Sequence, residues 1–141
     1  MFLPRKILEE KLRIILAEDL GQGDITTALI IPSESIAEAE VIAKEPGVAA
    51  GIEEAKILLE SLGLQAEALV ADGEKIKIKQ TLMKISGDAR TILSVERTLL
   101  NILSRMSGIA TTTRKMIEKL RNAGLKTKVA CTRKTAPGLL Y

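Results

Sequence analysis

Apolar residues recur at helical spacing directly after Pro4. Leu8, Leu12, Ile15 and Leu16 fall on one face, and charged side chains fill the other. Proline fits the first turn of a helix, where its missing N–H leaves no bond unmade, so the pattern predicts a helix that gives out near Asp19. "GQGD" follows with turn chemistry. Asp24, Thr26 and Thr27 in "GDITT" suit either a plain structural turn or a cap on the backbone amides of the next element. "EAEVIAKEPGVAAG" alternates and then becomes small and apolar, which predicts a strand, a Pro-Gly turn and a second strand. "IEEAKILLESLG" turns Ile52, Ala55, Leu58, Leu59 and Leu62 inward on a short helix closed by Gly63. "QAEALVAD" and "TLMKIS" predict short strands around the turn "DGEK" and the alternating "KIKIK". Up to about Ser86 the expectation is therefore α+β, with strands meeting in antiparallel hairpins.

From Ala89 the texture changes. "ARTILSVERTLLNILSRMSG" predicts one long helix and "ATTTRKMIEKLRNAG" a second, with Lys119 and Arg121 near the negative end of its dipole and Gly124 as its cap. "LKTKVACTRKT" reads as a strand that turns polar at its C-terminal end. Helix, loop and strand in this order are how an α/β barrel begins. The domain boundary is placed near residue 107, with an α+β sandwich over 1–107 and the start of a barrel over 108–141.

Composition narrows the picture. Phe2 and Tyr141 are the only aromatic residues, so the core must be aliphatic, and stacking platforms for single-stranded nucleic acid are absent. A net charge of +3 does not indicate a general polyanion binder, although local basic clusters can still hold a small anion. With no histidine, His-based triads and imidazole acid–base catalysis are excluded from this stretch. The single cysteine, Cys131, excludes an internal disulfide and suits a reducing compartment. No apolar run approaches the ~20 residues of a membrane span, and "MFLPRKILEE" lacks a signal-peptide core. The expectation is a cytoplasmic protein with no nucleic-acid or membrane partner.

Two places could carry chemistry. Arg97 lies off the apolar stripe of Ile92, Val95, Leu99, Ile102, Leu103 and Met106, but Leu93 and Leu100 sit one turn away on either side. A helix apolar on both faces is buried or meets a partner. An arginine among leucines needs an anion, here Glu96, Glu60 or a ligand carboxylate. Arg133 and Lys134 follow the strand of residues 125–135 and precede Pro137-Gly138, at the end of a parallel sheet where ligands bind. They read either as an anion site, with Thr132 adding a hydroxyl, or as a solvated basic loop.

"AEDLGQGDITTALIIP", "AKEPGVAAGIEEA", "SVERTLLNILSRMSGIAT" and "TRKTAPGL" occur in an order and at spacings that resemble quinolinate phosphoribosyltransferase, from about Leu16 onward. The resemblance implies an N-terminal α/β sandwich, an incomplete α/β barrel and an intertwined homodimer or higher homo-oligomer. It implies that Thr132, Arg133 and Lys134 line a basic quinolinate pocket and that Arg97 reaches into the partner subunit's site. The implied reaction joins quinolinate to phosphoribosyl pyrophosphate and yields nicotinate mononucleotide, pyrophosphate and CO2, a step of NAD synthesis. Mg2+ is expected with phosphoribosyl pyrophosphate, its ligands and all catalytic groups lying outside this stretch. Leu140 departs from the family pattern, which has arginine after P-G-L. Most of the barrel is missing before the sequence stops at Tyr141, so the chain is expected to be an N-terminal half, inactive alone.

Three other readings share some of these residues. A pyrophosphorylase-like family found with molybdate-transport genes has a related T-R-K-x-x-P-G block. "ADGEKIKIKQTLMKISG" resembles the hairpin of lipoyl and biotinyl carriers, with Lys84 as the modifiable lysine. A non-catalytic dimerisation module is the third.

Overall fold

A computed structural model describes residues 4–21, 23–130 and 132. The chain forms two compact units, Met1–Thr111 and Thr112–Tyr141. Its elements are α1 (Arg5–Leu20), α2 (Ile25–Ile30), β1 (Ile36–Ile42), β2 (Gly47–Val48), α3 (Ile52–Ser61), β3 (Gln65–Ala68), β4 (Lys75–Ile76), β5 (Thr81–Asp88) and α4 (Ala89–Asn122). No helix among the described residues is long and apolar enough to cross a membrane.

The first unit is α+β. Leu8, Leu12 and Leu16 of α1 are buried at four-residue intervals, and Ile15 is half-buried at the edge of the stripe. The helix ends at Gly21, whose φ of +54° suits glycine. α3 packs against α1 and β3 and buries Ile52, Ala55, Ile57, Leu58 and Leu59. Asp72 holds its start by accepting from the Ile52 N–H at 2.9 Å. All pairings are antiparallel, but the expected hairpins do not form. β5 is the centre of a three-stranded sheet in the order β1-β5-β3, and β2 pairs with β4. With eight residues and Leu82, Met83 and Ile85 buried, β5 is long and apolar enough to seat a distant strand on each edge. The buried side chains of the unit are aliphatic apart from Thr98.

Half-buried Glu54 on α3 carries a carboxyl into the edge of this interior. Its Oε2 is buried without a hydrogen-bond partner among the described residues. Burial pushes its carboxyl above the ordinary 4.5, and the charges of Asp72 and Glu53 act in the same direction. The folded state therefore holds this proton more tightly than the unfolded state. Stability falls as pH rises from about 4.5 toward the raised folded value, and the loss persists at neutral pH. Glu54→Gln is expected to raise stability at pH 7 by about 1 kcal/mol and to flatten this part of the profile. Urea titrations between pH 4 and 8 check it; a less stable variant at pH 7 would give the carboxylate a partner that the fold conceals.

α4 follows β5 without a loop, and Asp88 accepts from the Thr91 N–H (2.8 Å) and hydroxyl at its start. The helix is continuous over 34 residues, where the sequence predicted two helices separated near Gly108. A mid-helix glycine costs only about 1 kcal/mol. Neighbouring side chains hold the helix through this point. Ser107 Oγ accepts from the Ala50 N–H at 3.1 Å, and Thr111 Oγ1 accepts from the Val48 N–H at 2.9 Å. Gly47 makes the second contact possible, since a Cβ there would lie 2.6 Å from Thr111 Oγ1.

In the second unit α4 ends in the motif expected at Gly124. This residue takes φ +73°, its N–H donates to the Arg121 carbonyl, and the Leu125 N–H donates to the Leu120 carbonyl. The strand predicted over residues 125–135 is not formed at 125–130 or 132. The described residues of this unit include no strand to pair with it, and an unpaired strand leaves its backbone groups unsatisfied.

Candidate functional site

The turn after α1, the start of α2 and the middle of α4 enclose an open groove of about 660 Å³. Asp24 positions one wall. It caps α2 by accepting from the Thr27 N–H at 3.0 Å and from the Thr27 hydroxyl. These bonds hold its carboxyl below the usual range, with smaller contributions from Ser94 and Arg97. Arg90 secures the other end of α2, donating from Nε to the Ile31 carbonyl (2.8 Å) and from Nη2 to the Ala28 carbonyl (3.1 Å). Held at both ends by polar contacts, α2 buries none of its residues, and Ile25, Leu29 and Ile30 are exposed. Leu93 and Leu100 of α4 are exposed beside it.

Arg97 lies on the opposite wall and pairs with Asp19, not with the Glu96 or Glu60 that the sequence suggested. Its Nε is 2.8 Å from Asp19 Oδ1, and its Nη2 donates to the Asp19 main-chain carbonyl at 3.1 Å. Glu60 instead engages Arg5 and Lys56 on another part of the surface. Thr98, a residue 2% exposed, completes the arrangement: its hydroxyl donates to Asp19 Oδ2 at 2.7 Å. The Thr98 bond, followed by the bond and charge of Arg97, holds the Asp19 carboxyl below its ordinary value despite some desolvation. The Arg97 side chain remains 70% exposed. The arrangement is a cation with one edge tied down and the rest open to the groove, which suits a carboxylate or phosphate.

Asp19 and Thr98 carried no assigned role in the sequence. Both lie inside blocks singled out there, "AEDLGQGDITT" and "SVERT", and the fold brings the two blocks into contact. Thr132 belongs to the second unit, where it is exposed and outside any helix or strand. Arg133, Lys134, Cys131 and the Pro137-Gly138 turn lie outside the described residues. The described residues contain no group of three or more His, Cys, Asp or Glu placed to hold a metal ion. Asp19 and Asp24 are both committed to protein donors. Lys84 stands in the middle of the central strand, opposite Glu40 on β1 and Glu67 on β3. That is not the exposed turn on which a carrier presents its lysine.

The chain has counterparts among known proteins. The family model for the quinolinate phosphoribosyl transferase N-terminal domain matches residues 24–107, and that for the C-terminal domain matches residues 109–141. A probable nicotinate-nucleotide pyrophosphorylase (carboxylating) of Methanocaldococcus jannaschii is 41% identical over 132 residues, 94% of this chain and 44% of that protein. A mitochondrial quinolinate phosphoribosyltransferase (decarboxylating) of Nicotiana tabacum is 38% identical over 96% of this chain and 38% of its own length. The structure of the Francisella tularensis nicotinate-nucleotide pyrophosphorylase superposes with a TM-score of 0.84 at 33% identity, over 96% of this chain and 48% of that one. The chain belongs to the quinolinate phosphoribosyltransferase family. It spans about half the length of the relatives it matches.

Proposed function

We propose that this chain supplies the N-terminal domain and the first part of the barrel to a phosphoribosyltransferase acting on quinolinate in NAD synthesis. In this reading the pyridine nitrogen attacks the anomeric carbon of phosphoribosyl pyrophosphate and pyrophosphate leaves. The adjacent carboxylate then leaves as CO2, and the electron pair left on the ring carbon takes a proton from water to give nicotinate mononucleotide. The nitrogen is already a nucleophile, so the site's task is to hold two anionic substrates together and stabilise the leaving pyrophosphate. Arg97 binds quinolinate in the partner subunit's site, and Thr132, Arg133 and Lys134 line the pocket of their own subunit. Mg2+ accompanies phosphoribosyl pyrophosphate, on ligands outside the described residues. The reaction is placed in the cytoplasm and the enzyme is a homodimer or higher homo-oligomer. The observation that carries the reading is Arg97 itself. A guanidinium held by Asp19 yet 70% exposed, on a face with bare Leu93 and Leu100, is built to meet something outside its own fold.

The test compares the 141-residue chain with the same chain continued through the C-terminal half of the M. jannaschii relative. The short chain is expected to release no quinolinate-dependent pyrophosphate, and the fusion is expected to release it. Turnover by the short chain would misplace the active site. A folded fusion that binds phosphoribosyl pyrophosphate but ignores quinolinate would overturn the substrate.

A further inference from the structure

Arginine has two edges that can each grip a carboxylate. The side edge is formed by Nε and Nη2, and the end edge by Nη1 and Nη2. In this structure the side edge of Arg97 is taken by Asp19, through the carboxylate at Nε and the main-chain carbonyl at Nη2. That carbonyl sits in the last turn of α1, where helix carbonyls lack intrahelical partners and the dipole favours a cation. Asp19 is in turn fixed by Thr98, whose buried hydroxyl bonds Oδ2. On the end edge Nη1 has no protein partner among the described residues and Nη2 has only the Asp19 carbonyl, which leaves its second N–H to offer, and Arg97 lines the groove.

We propose that Asp19 is a positioning residue. It locks the side edge of Arg97 so that the end edge is presented to the carboxylate of an incoming pyridine dicarboxylate. The inference rests on the reading of Arg97 as a quinolinate ligand. An exposed ion pair stabilises a fold very little, so stability alone gives this pair slight purpose. Preorganisation gives it one. A free arginine side chain must be immobilised through several torsions when a ligand binds, and that loss is taken from affinity. Here the torsions are already fixed by the α1 terminus, and the Asp19 carboxylate, itself held by Thr98, cannot swing away with the guanidinium. The same pairing lowers the net charge that Arg97 presents without removing the fork. Recognition therefore depends on geometry more than on charge.

Two measurements test this. In the 15N-labelled 141-residue chain, the Arg97 Nε–H is expected to exchange slowly with solvent, and Asp19→Asn should speed its exchange by about tenfold or more. Equal exchange in both forms overturns the proposal, whatever happens in turnover. In the fusion with the M. jannaschii C-terminal half, Asp19→Asn is expected to raise KM for quinolinate about tenfold, with kcat and KM for phosphoribosyl pyrophosphate nearly unchanged. In an Arg97→Ala background the same substitution should add nothing, because Asp19 then has no guanidinium to position. If Arg97→Ala itself leaves KM for quinolinate unchanged, the assignment of Arg97 to the site fails. If Arg97→Ala raises KM but the effect of Asp19→Asn persists beside it, Arg97 keeps its role and Asp19 loses its own.

Discussion

Arg97→Ala, in a chain long enough to turn over, is expected to weaken quinolinate binding by roughly tenfold to a hundredfold. A charge-assisted, bidentate contact to a carboxylate contributes roughly 1.5–3 kcal/mol. Arg97→Lys should be nearly as harmful, because an ammonium that reaches Asp19 has no second edge to offer a ligand. Stability should hardly change: an ion pair with a 70% exposed arginine contributes roughly 0–1 kcal/mol. Arg133→Ala in "TRKTAPG" is expected to have an effect of the same size, on the reading that this motif lines the quinolinate pocket. Calorimetry of quinolinate binding beside a melting curve separates the possibilities for each variant. A fallen melting temperature with binding intact would make the arginine a structural residue.

The largest expected loss of stability comes from Leu58→Ala. Leu58 has no exposed surface, and its helix packs against both α1 and β3. Truncating such a leucine removes its transfer free energy and leaves a cavity, together about 2–5 kcal/mol. That is a large share of the ~5–15 kcal/mol that holds a typical domain together. The described core contains no aromatic ring that could pivot into the space, so the upper part of the range is expected. Urea unfolding followed by far-ultraviolet circular dichroism measures it. A loss below about 1 kcal/mol would mean that α3 settles inward and closes the gap.

Helix positions were legible where periodicity alone decides them. Leu8, Leu12 and Leu16 announce α1, and Ile52, Ala55, Leu58 and Leu59 announce α3, because each set repeats the turn of the helix. Antiparallel pairing was legible too, but the choice of partners was not. Nothing local to "TLMKIS" says that its neighbours come from residues 36–42 and 65–68, since non-local pairing is decided by how the whole core closes. Gly108 misled for a related reason. Its small intrinsic penalty signals a break, whereas the hydrogen bonds of Ser107 and Thr111 that carry the helix past it come from residues some sixty positions away. Arg97 was legible as a cation among leucines. Its anion was not, because Asp19 stands 78 residues earlier and only the fold makes them neighbours.

The anchors on α4 also set a rule for insertions and deletions. Arg97 and Thr98 are fastened to the end of α1, while Ser107 and Thr111 are fastened to the chain around β2. Thr98 and Ser107 are separated by about 14 Å of helix and, at roughly 100° per residue, point to opposite sides of it. The helix thus behaves as a keyed shaft, engaged on one side near one end and on the other side further along. Adding or removing a single residue between positions 99 and 106 would turn one key by about 100° out of its slot. Substitutions in this stretch leave the phase intact, but a change of length does not. Length variation among relatives should therefore gather in the turns before α2 and after β1 and spare this segment.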